Sequence, residues 1–134
     1  MDKPVVVADT NILVSSVFWS GNPHKIVKKG IQQEIFIFTS PQIVNELKKV
    51  LQRDFNVGEQ EIDDIVDAFM HFLHIIRPKE KMEIVKDDPK DDIILECAIA
   101  CHADYIISGD KHLLRLKMVR NIPIVSAHDF FSLH

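Results

Sequence analysis

Four short apolar runs, separated by segments with helical periodicity, constrain the fold of this chain more than any other feature. The runs are rich in β-branched residues, which is typical of strands buried on both faces of a parallel sheet. Strands that alternate with helices predict a three-layer α/β/α sandwich around a mainly parallel central sheet. The predicted strands are Val5–Ala8, residues 35–38, Tyr105–Ile107 and Ile122–Val125, the last at an edge of the sheet because it contains Pro123.

Proline, serine and glycine mark the predicted helix ends. Ser40 caps a helix whose first residue is Pro41, and Gly58 precedes another helix. A helix that starts at Pro23 is expected to end at Gly30. The remaining helices are predicted over residues 89–102, with Asp88 as the cap, and over residues 127–133, while residues 78–87 are expected to form a loop.

Length and composition point to a single domain over residues 1–134. The chain has 46% hydrophobic and 27% charged residues, which excludes a disordered chain and a disulfide-stapled miniprotein. No apolar run approaches the roughly 20 residues of a membrane span. Cys97 and Cys101 are four residues apart in one predicted helix, a poor disulfide geometry, so we expect a reduced, cytoplasmic protein. A zinc site formed with His102 is an alternative, but it lacks a second cluster of ligands.

Net charge argues against a surface that binds nucleic acid over its whole extent. The chain carries 20 acidic and 16 basic residues, for a formal charge of −4. This balance still permits a local basic strip. The three basic groups in the sequence are residues 25–29, residues 48–53 and the segment after Asp110, of which the last, with Lys111 and Arg115, is the best candidate for phosphate contact.

Acidic residues stand where predicted strands end. Asp9 directly follows the first strand, and Asp110 follows the third after a Ser-Gly turn. The carboxyl ends of parallel strands meet at one edge of the sheet, where α/β proteins place their sites. Glu46 lies on the helix after the second strand and is a third candidate for this edge, although it could instead be an exposed partner of Lys49.

A fourth acid comes from the sequence Asp-Pro-Lys-Asp-Asp at residues 88–92. On a helical wheel Asp91 shares a face with Leu95 and Ala98, whereas Asp92 lines up with Glu96 on a more polar side. We therefore expect Asp91 to point towards the sheet and Asp92 towards solvent, with Asp92 as the alternative site residue.

Converging carboxylates need cations to offset their mutual repulsion. Two of them about 4 Å apart repel by roughly 4 kcal/mol at an effective dielectric constant near 20. Oxygen ligands favour Mg²⁺ or Mn²⁺ over Zn²⁺, and one or two such ions could activate a water for attack on a phosphodiester. Setting the four acids aside leaves 16 acidic residues against 16 basic ones, so the net charge need not describe an acidic surface.

The ordered set of motifs resembles the PIN domain family. The set comprises Val-Val-Ala-Asp9-Thr-Asn, Glu46, Asp-Pro-Lys-Asp91-Asp92 and Ser108-Gly-Asp110, and its order and spacing match over nearly the whole chain. It is most similar to the short, single-domain PIN proteins regarded as toxins of toxin–antitoxin pairs, the VapC-like ribonucleases. The resemblance implies a Mg²⁺- or Mn²⁺-dependent endoribonuclease that acts on RNA, forms a homodimer and is silenced by a small antitoxin protein.

The same resemblance assigns roles to individual residues. Asp9, Glu46, Asp91 and Asp110 would be the catalytic, metal-binding tetrad, with Asp92 as the alternative to Asp91. Asn11 would orient Asp9 or a water, and Thr10 or Ser108 would donate hydrogen bonds nearby.

Two other functions remain open from the sequence. The chain could be a PIN module that binds RNA or a protein partner with little or no nuclease activity. An aspartyl nucleophile at Asp9 is less favoured, because that chemistry usually needs a second acid at position 11, where this chain has Asn.

Two apolar groups are candidates for contacts outside the core. Phe18 and Trp19, expected in the loop after the first strand, could stack on a base, although an anchor in the core or in an interface is the favoured alternative. Phe69, Phe72 and Leu73 could contact a second copy of the chain or an antitoxin.

Overall fold

A computed structural model describes residues 3–81 and 89–133 of the chain. Within these residues, a single sheet runs through the molecule and helices fill the connections between its strands. The strands are β1 (Val5–Ala8), β2 (Phe36–Thr39), β3 (His74–Ile75), β4 (Tyr105–Ile107), β5 (Met118–Val119) and β6 (Ile122–Val125). The helices are α1 (Thr10–Phe18), α2 (Asn22–Ile31), α3 (Pro41–Phe55), α4 (Glu59–Met70), α5 (Pro89–Ala100), α6 (Lys111–Leu116) and α7 (Ala127–Leu133).

The order of the strands places a topological switch point at the centre of the sheet. The described strands follow the order β3-β2-β1-β4-β6-β5, and every neighbouring pair is parallel except β5 and β6. From β1 the chain moves outward to β2 and β3, then crosses back through α5 to β4 on the other side of β1. Right-handed crossovers in opposite directions put their helices on opposite faces, which gives the three-layer sandwich. The predicted α/β fold class is confirmed.

Burial on both faces explains why the sequence predicts the central strands so clearly. Val6, Val7, Ile106 and Ile107 have no exposed surface, because β1 and β4 are covered on both faces. This rigid pair of strands ends at the same edge of the sheet. The residues that follow them, Asp9 and Ser108, therefore start from neighbouring positions.

The capping residues in the sequence predict some helix ends correctly and others wrongly. Ser40 caps α3 as predicted, since its hydroxyl accepts a hydrogen bond from the Ile43 amide at 3.2 Å. Gly30, in contrast, does not end α2, which continues through Ile31. A Cβ at Gly30 would lie 2.6 Å from Ile37 Cδ1, so this glycine allows the helix to pack closely on β2.

The predicted edge position of the last long strand is wrong. β6 lies between β4 and β5, and the short β5 forms the edge. Pro123 is tolerated inside the sheet because the ladder between β6 and β4 begins one residue later, at Ile124. The missing amide of Pro123 therefore costs no strand hydrogen bond.

Two apolar groups lie elsewhere than expected. Phe18 ends helix α1 and is not a loop residue. Phe69 and Leu73 are buried in the core, and Phe72 packs against it half-buried. The expected partner surface at Phe69 and Leu73 is therefore wrong.

The proposed cap Asp88 and most of the predicted loop, residues 82–88, lie outside the described residues. In the described ranges, every helix is too short or too polar to cross a lipid bilayer.

Candidate active site

Asp9 is a buried carboxylate at the switch point of the sheet. It directly follows β1, its amide donates to the Ile107 carbonyl at 2.9 Å, and only 6% of its surface is exposed. Burial raises the pKa of the Asp9 carboxyl above its ordinary value. The hydrogen bond from Ser108 and the amides of Asn11 and Thr10 lower this pKa, and the negative charge of Asp110 raises it. A cation beside Asp9 would offset the cost of its burial.

Ser108 links Asp9 to the turn that carries Asp110. Its hydroxyl donates to Asp9 Oδ2 at 2.7 Å and accepts from the Asp110 amide at 2.9 Å. Asp110 in turn caps α6, because its Oδ1 accepts from the His112 amide at 2.7 Å. The predicted supporting role of Ser108 thus has a geometric basis, in which one buried hydroxyl fixes the spacing of two acids.

Glu46 is buried on α3 and faces a lysine from another helix. Its Oε1 lies 3.3 Å from Lys90 Nζ, at the start of α5. The alternative role of Glu46 as an exposed partner of Lys49 is therefore wrong. Oε1 is enclosed and accepts no hydrogen bond of good geometry, so the ion pair with Lys90 compensates its charge only in part.

Asp91 and Asp92 are both buried in the first turn of α5, with 3% and 7% of their surfaces exposed. The expected burial of Asp91 agrees with the structure, but the expected exposure of Asp92 does not. The two differ in what they face: Asp91 lines a cavity together with Asp9 and Glu46, and Asp92 is not among the residues that line it.

The acids converge on one cavity of about 260 Å³ at the carboxyl edge of the sheet. All four acids predicted from the sequence contribute to its wall, as do the predicted supporting residues Thr10 and Asn11. The other lining residues were missed by the sequence prediction: Val50, Arg53, Asp54 and Lys90.

Comparison with known proteins agrees with this geometry. The family model for the PIN domain matches residues 5–112. The chain belongs to the PIN domain family.

One relative matches most of this PIN domain protein in sequence, and two solved structures share its fold. The uncharacterized protein MJ1680 of Methanocaldococcus jannaschii is 32% identical over 120 residues, which cover 86% of this chain and 76% of that protein. Two solved structures share the fold at lower identity. They are VapBC2 from Rickettsia felis bound to a DNA fragment from its promoter (TM-score 0.66, 18% identity, 90% of this chain and 96% of that chain) and the PIN domain of RRP44 from T. brucei (TM-score 0.53, 11% identity, 97% and 80%).

PIN domains are generally nucleases that use divalent metal ions, and the lining of this cavity suits such an ion. Its wall offers carboxylate, hydroxyl and amide oxygens, the donors that Mg²⁺ and Mn²⁺ prefer. The enclosed Glu46 Oε1 and the raised pKa of Asp9 both indicate negative charge that the protein compensates incompletely. The donor set therefore fits a divalent cation.

The carboxylates of the cavity are nevertheless too far apart in the described structure to hold one ion together. Across residues 3–81 and 89–133, no three acidic, histidine or cysteine side chains are close enough to hold one together. Within these residues, Cys97, Cys101 and His102 are therefore not arranged as a zinc site either. Binding of a cation in the acidic cavity would require the carboxylates to draw together and Glu46 to exchange its contact with Lys90.

The candidate RNA contacts of this PIN domain lie outside the cavity. Lys111 and Arg115 are exposed on α6, directly after Asp110. Arg120, in the same basic segment, is tied to Glu80 by a 3.1 Å ion pair. Lys111 directly follows the lining residue Asp110, Arg115 lies one helical turn further along α6, and Arg120 is engaged by Glu80.

A helical pattern could have identified some of the lining residues missed from the sequence. Val50, Arg53 and Asp54 follow Glu46 at four, seven and eight positions, the spacing of one helix face. No sequence spacing links Lys90 to the cavity, since its position depends on how α5 packs at the edge of the sheet.

Proposed function

We propose that this protein is a Mg²⁺- or Mn²⁺-dependent endoribonuclease that cleaves RNA by attack of water on a phosphodiester. The observation that carries the proposal is the convergence of Asp9, Glu46, Asp91 and Asp110 on one cavity. These acids come from four separate parts of the chain. A purely structural role would not require four carboxylates to share one small space, because their mutual repulsion is costly.

The four carboxylates would hold the cation or cations, with Asp91 rather than Asp92 as the third ligand. When bound, a divalent cation stabilises the charge that develops on the phosphate and lowers the pKa of the attacking water. Ser108 keeps Asp9 in place and favours its ionised form, which is the form that can act as a ligand.

The neutral residues of the cavity would orient the reactants. Asn11 lies at its rim in the first turn of α1, where its amide can donate to a phosphate oxygen or to the attacking water. Thr10 is buried beside Asp9 and offers a hydroxyl to the same region. Neither residue needs to form a covalent intermediate with the substrate.

Lys90 would make one contact in the free protein and a different one when substrate is bound. In the described structure its ammonium group partly neutralises Glu46. Its side chain is about half exposed (52%), so it can reorient towards a substrate phosphate once Glu46 binds a cation.

The biological setting forms part of the proposal. We propose a toxin of a toxin–antitoxin pair, a homodimer that acts in the cytoplasm and is silenced by a small antitoxin protein. The support is the fold shared with Rickettsia felis VapBC2, together with the match of one PIN domain to most of the chain.

A cleavage assay tests the proposed reaction. Purified protein is incubated with single-stranded RNA and Mn²⁺, alongside an Asp9→Asn variant whose fold is checked by circular dichroism. We expect cleavage by the parent protein and a loss of at least 100-fold in the variant, since the removed charge holds the cation, an effect on the order of several kcal/mol.

Two results would contradict the proposal. Cleavage by Asp9→Asn at the parental rate would exclude the mechanism. RNA binding without cleavage by the parent protein would favour the alternative, a PIN module that only binds.

A further inference from the structure

Three aromatic rings form an exposed cluster at the ends of the two helices that carry Thr10 and Glu46 at the acidic cavity. Phe18 ends α1, Trp19 follows it, and Phe55 ends α3. Their exposed fractions are 41%, 58% and 37%, which is unusual for large aromatic side chains that could be buried. We call these three residues the aromatic platform.

Contacts within the platform hold Trp19 in place while leaving much of its surface open. Phe18 and Phe55 stack on each other, with ring centroids 4.6 Å apart and an angle of 16° between planes. Trp19 meets both rings edge to face, at 5.8 and 5.9 Å. The indole is thus positioned by two neighbours and still has more than half of its surface exposed.

Two helices connect the platform to the acids of the cavity, whose wall also includes Asp54, the residue before Phe55. Helix α1 runs from Thr10 at the cavity to Phe18, about 12 Å at 1.5 Å per residue. Helix α3 runs from Glu46 at the cavity to Phe55, about 13.5 Å by the same measure. A stacked strand of about four nucleotides spans this distance at roughly 3.4 Å per nucleotide.

Two partly exposed cations of the cavity could contact a phosphate backbone if it displaced their carboxylate partners, Glu46 and Asp54. Lys90 and Arg53 line the cavity with about half of their side chains exposed (52% and 54%). Arg53 donates two hydrogen bonds of 2.8 and 3.1 Å to Asp54, the residue that precedes Phe55. Cationic side chains interleaved with aromatic rings are the typical arrangement for binding single-stranded nucleic acid.

We infer that the aromatic platform binds a base of single-stranded RNA by stacking on Trp19, a few nucleotides away from the bond that is cleaved. This inference rests on the proposed function for the identity of the ligand. The platform supplies affinity without strong sequence preference, because every base has a π face. It does not take part in the chemical step.

Fluorescence offers a direct test, because Trp19 is the only tryptophan of the chain. The full chain in EDTA, which prevents cleavage, is titrated with an eight-nucleotide RNA and with an abasic strand of the same length. We expect the RNA to quench Trp19 emission and the abasic strand, with the same phosphates, to leave it unchanged. Equal quenching by both strands, or none by either, would overturn the inference.

Variants measure the contribution of stacking. Trp19→Ala, followed by anisotropy of labelled RNA, should weaken binding about fivefold to 150-fold. Leu133→Ala is the matched control, since Leu133 is equally exposed (56%) on α7. In the Mn²⁺ cleavage assay, Trp19→Ala should raise KM and leave kcat unchanged.

The failure of this inference can be told apart from the failure of the proposed function. If the parent protein cleaves RNA but Trp19→Ala binds RNA as well as the parent, only the platform is excluded. If the parent cleaves no RNA while RNA still quenches Trp19, the platform stands and the nuclease proposal fails. If Trp19→Ala turns a dimer into a monomer in light scattering without affecting RNA binding, the platform is an interface between copies and the inference is wrong.

Discussion

The Ser108 hydroxyl donates a 2.7 Å hydrogen bond to Asp9 Oδ2 and so joins the ends of β1 and β4 across 99 positions of sequence. The same hydroxyl accepts from the Asp110 amide. Two acids of the proposed tetrad are therefore held by a single buried side chain. Their separation depends on the register of the central strands and not on loop flexibility.

Ser108→Ala should destabilise the protein and weaken its affinity for Mn²⁺. The change leaves a buried carboxylate without its donor, which costs about 1–3 kcal/mol. Loss of the bond also raises the pKa of Asp9 further, so less of it is ionised at a given pH. Urea unfolding measures the first effect and calorimetry with Mn²⁺ the second.

Ser126→Ala is the matched control for this prediction. Ser126 Oγ accepts from the Asp129 amide at 3.0 Å, at the start of α7, and Ser126 does not line the acidic cavity. The Ser126→Ala variant should lose about 0.5–2 kcal/mol of stability, as is typical when a helix cap is removed. It should bind Mn²⁺ as tightly as the parent does. If Ser108→Ala kept the Mn²⁺ affinity of the parent, Ser108 would have only a structural role.

Asp9→Asn should stabilise the metal-free protein at neutral pH. Because burial raises the pKa of Asp9 in the folded state, its charge costs stability at pH values above that folded pKa. The cost disappears as the pH falls below the pKa of the unfolded chain, near 3.8. The variant should therefore melt at a higher temperature than the parent in EDTA at pH 7, and the difference should shrink towards pH 4.

Mn²⁺ should reverse this order of stability. A ligand at 100 times its Kd stabilises the folded state by about 2.7 kcal/mol, and only the parent retains the full ligand set. Melting curves at several Mn²⁺ concentrations measure the effect. An equal rise in Tm for both proteins would show that Asp9 does not bind the cation.

Asp91→Asn and Asp92→Asn should separate the two neighbouring acids. Asp91 lines the cavity and Asp92 does not, although both are buried. Asp91→Asn should reduce Mn²⁺ affinity and cleavage at least 100-fold, whereas Asp92→Asn should change stability and keep cleavage within about threefold, since it lies outside the cation site. The opposite result in the cleavage assay would assign the third ligand to Asp92.

Lys90→Met should bind Mn²⁺ more tightly than the parent. The ammonium group competes with a cation for Glu46 Oε1, and its half-exposed ion pair is worth about 0.2–1 kcal/mol, or up to about fivefold in Kd. Lys49→Met, an exposed lysine on the same helix as Glu46, should leave the Kd unchanged. Calorimetry that found weaker Mn²⁺ binding in Lys90→Met would contradict this competition.

Lys111→Ala combined with Arg115→Ala should weaken RNA binding and reduce its salt dependence. Each lost phosphate contact lowers the slope of log K against log salt by about 0.7 for a single strand, so the pair should lower it by about 1.4. The control pair is Lys25→Ala with Lys28→Ala, both exposed on α2. A slope unchanged by the first pair would exclude a phosphate contact at α6.

The central sheet could be predicted from the sequence because its strands are buried on both faces. Continuous β-branched runs then leave a clear signal, as at Val5–Ala8. The two-residue strands β3 and β5 carry no such run. Helix α1 was missed because both its apolar and its small polar residues are buried, including Leu13 and Ser16, so no polar face marks its period.

The acids of the candidate site could be predicted because strand ends fix where Asp9 and Asp110 lie. Lys90 and the burial of Asp92 could not, since both depend on the angle at which α5 meets the sheet. Phe18 and Trp19 could be predicted as candidates for base stacking, but Phe55 could not, because it meets Phe18 only after α1 and α3 have packed together.

Anomalous diffraction from crystals soaked in Mn²⁺ tests the central claim most directly. The account predicts one or two manganese peaks within about 2.0–2.2 Å of carboxylate oxygens from Asp9, Glu46, Asp91 and Asp110, with Lys90 moved away from Glu46. A fully soaked crystal with no peak in this cavity, or with its peak at other residues, would contradict the account.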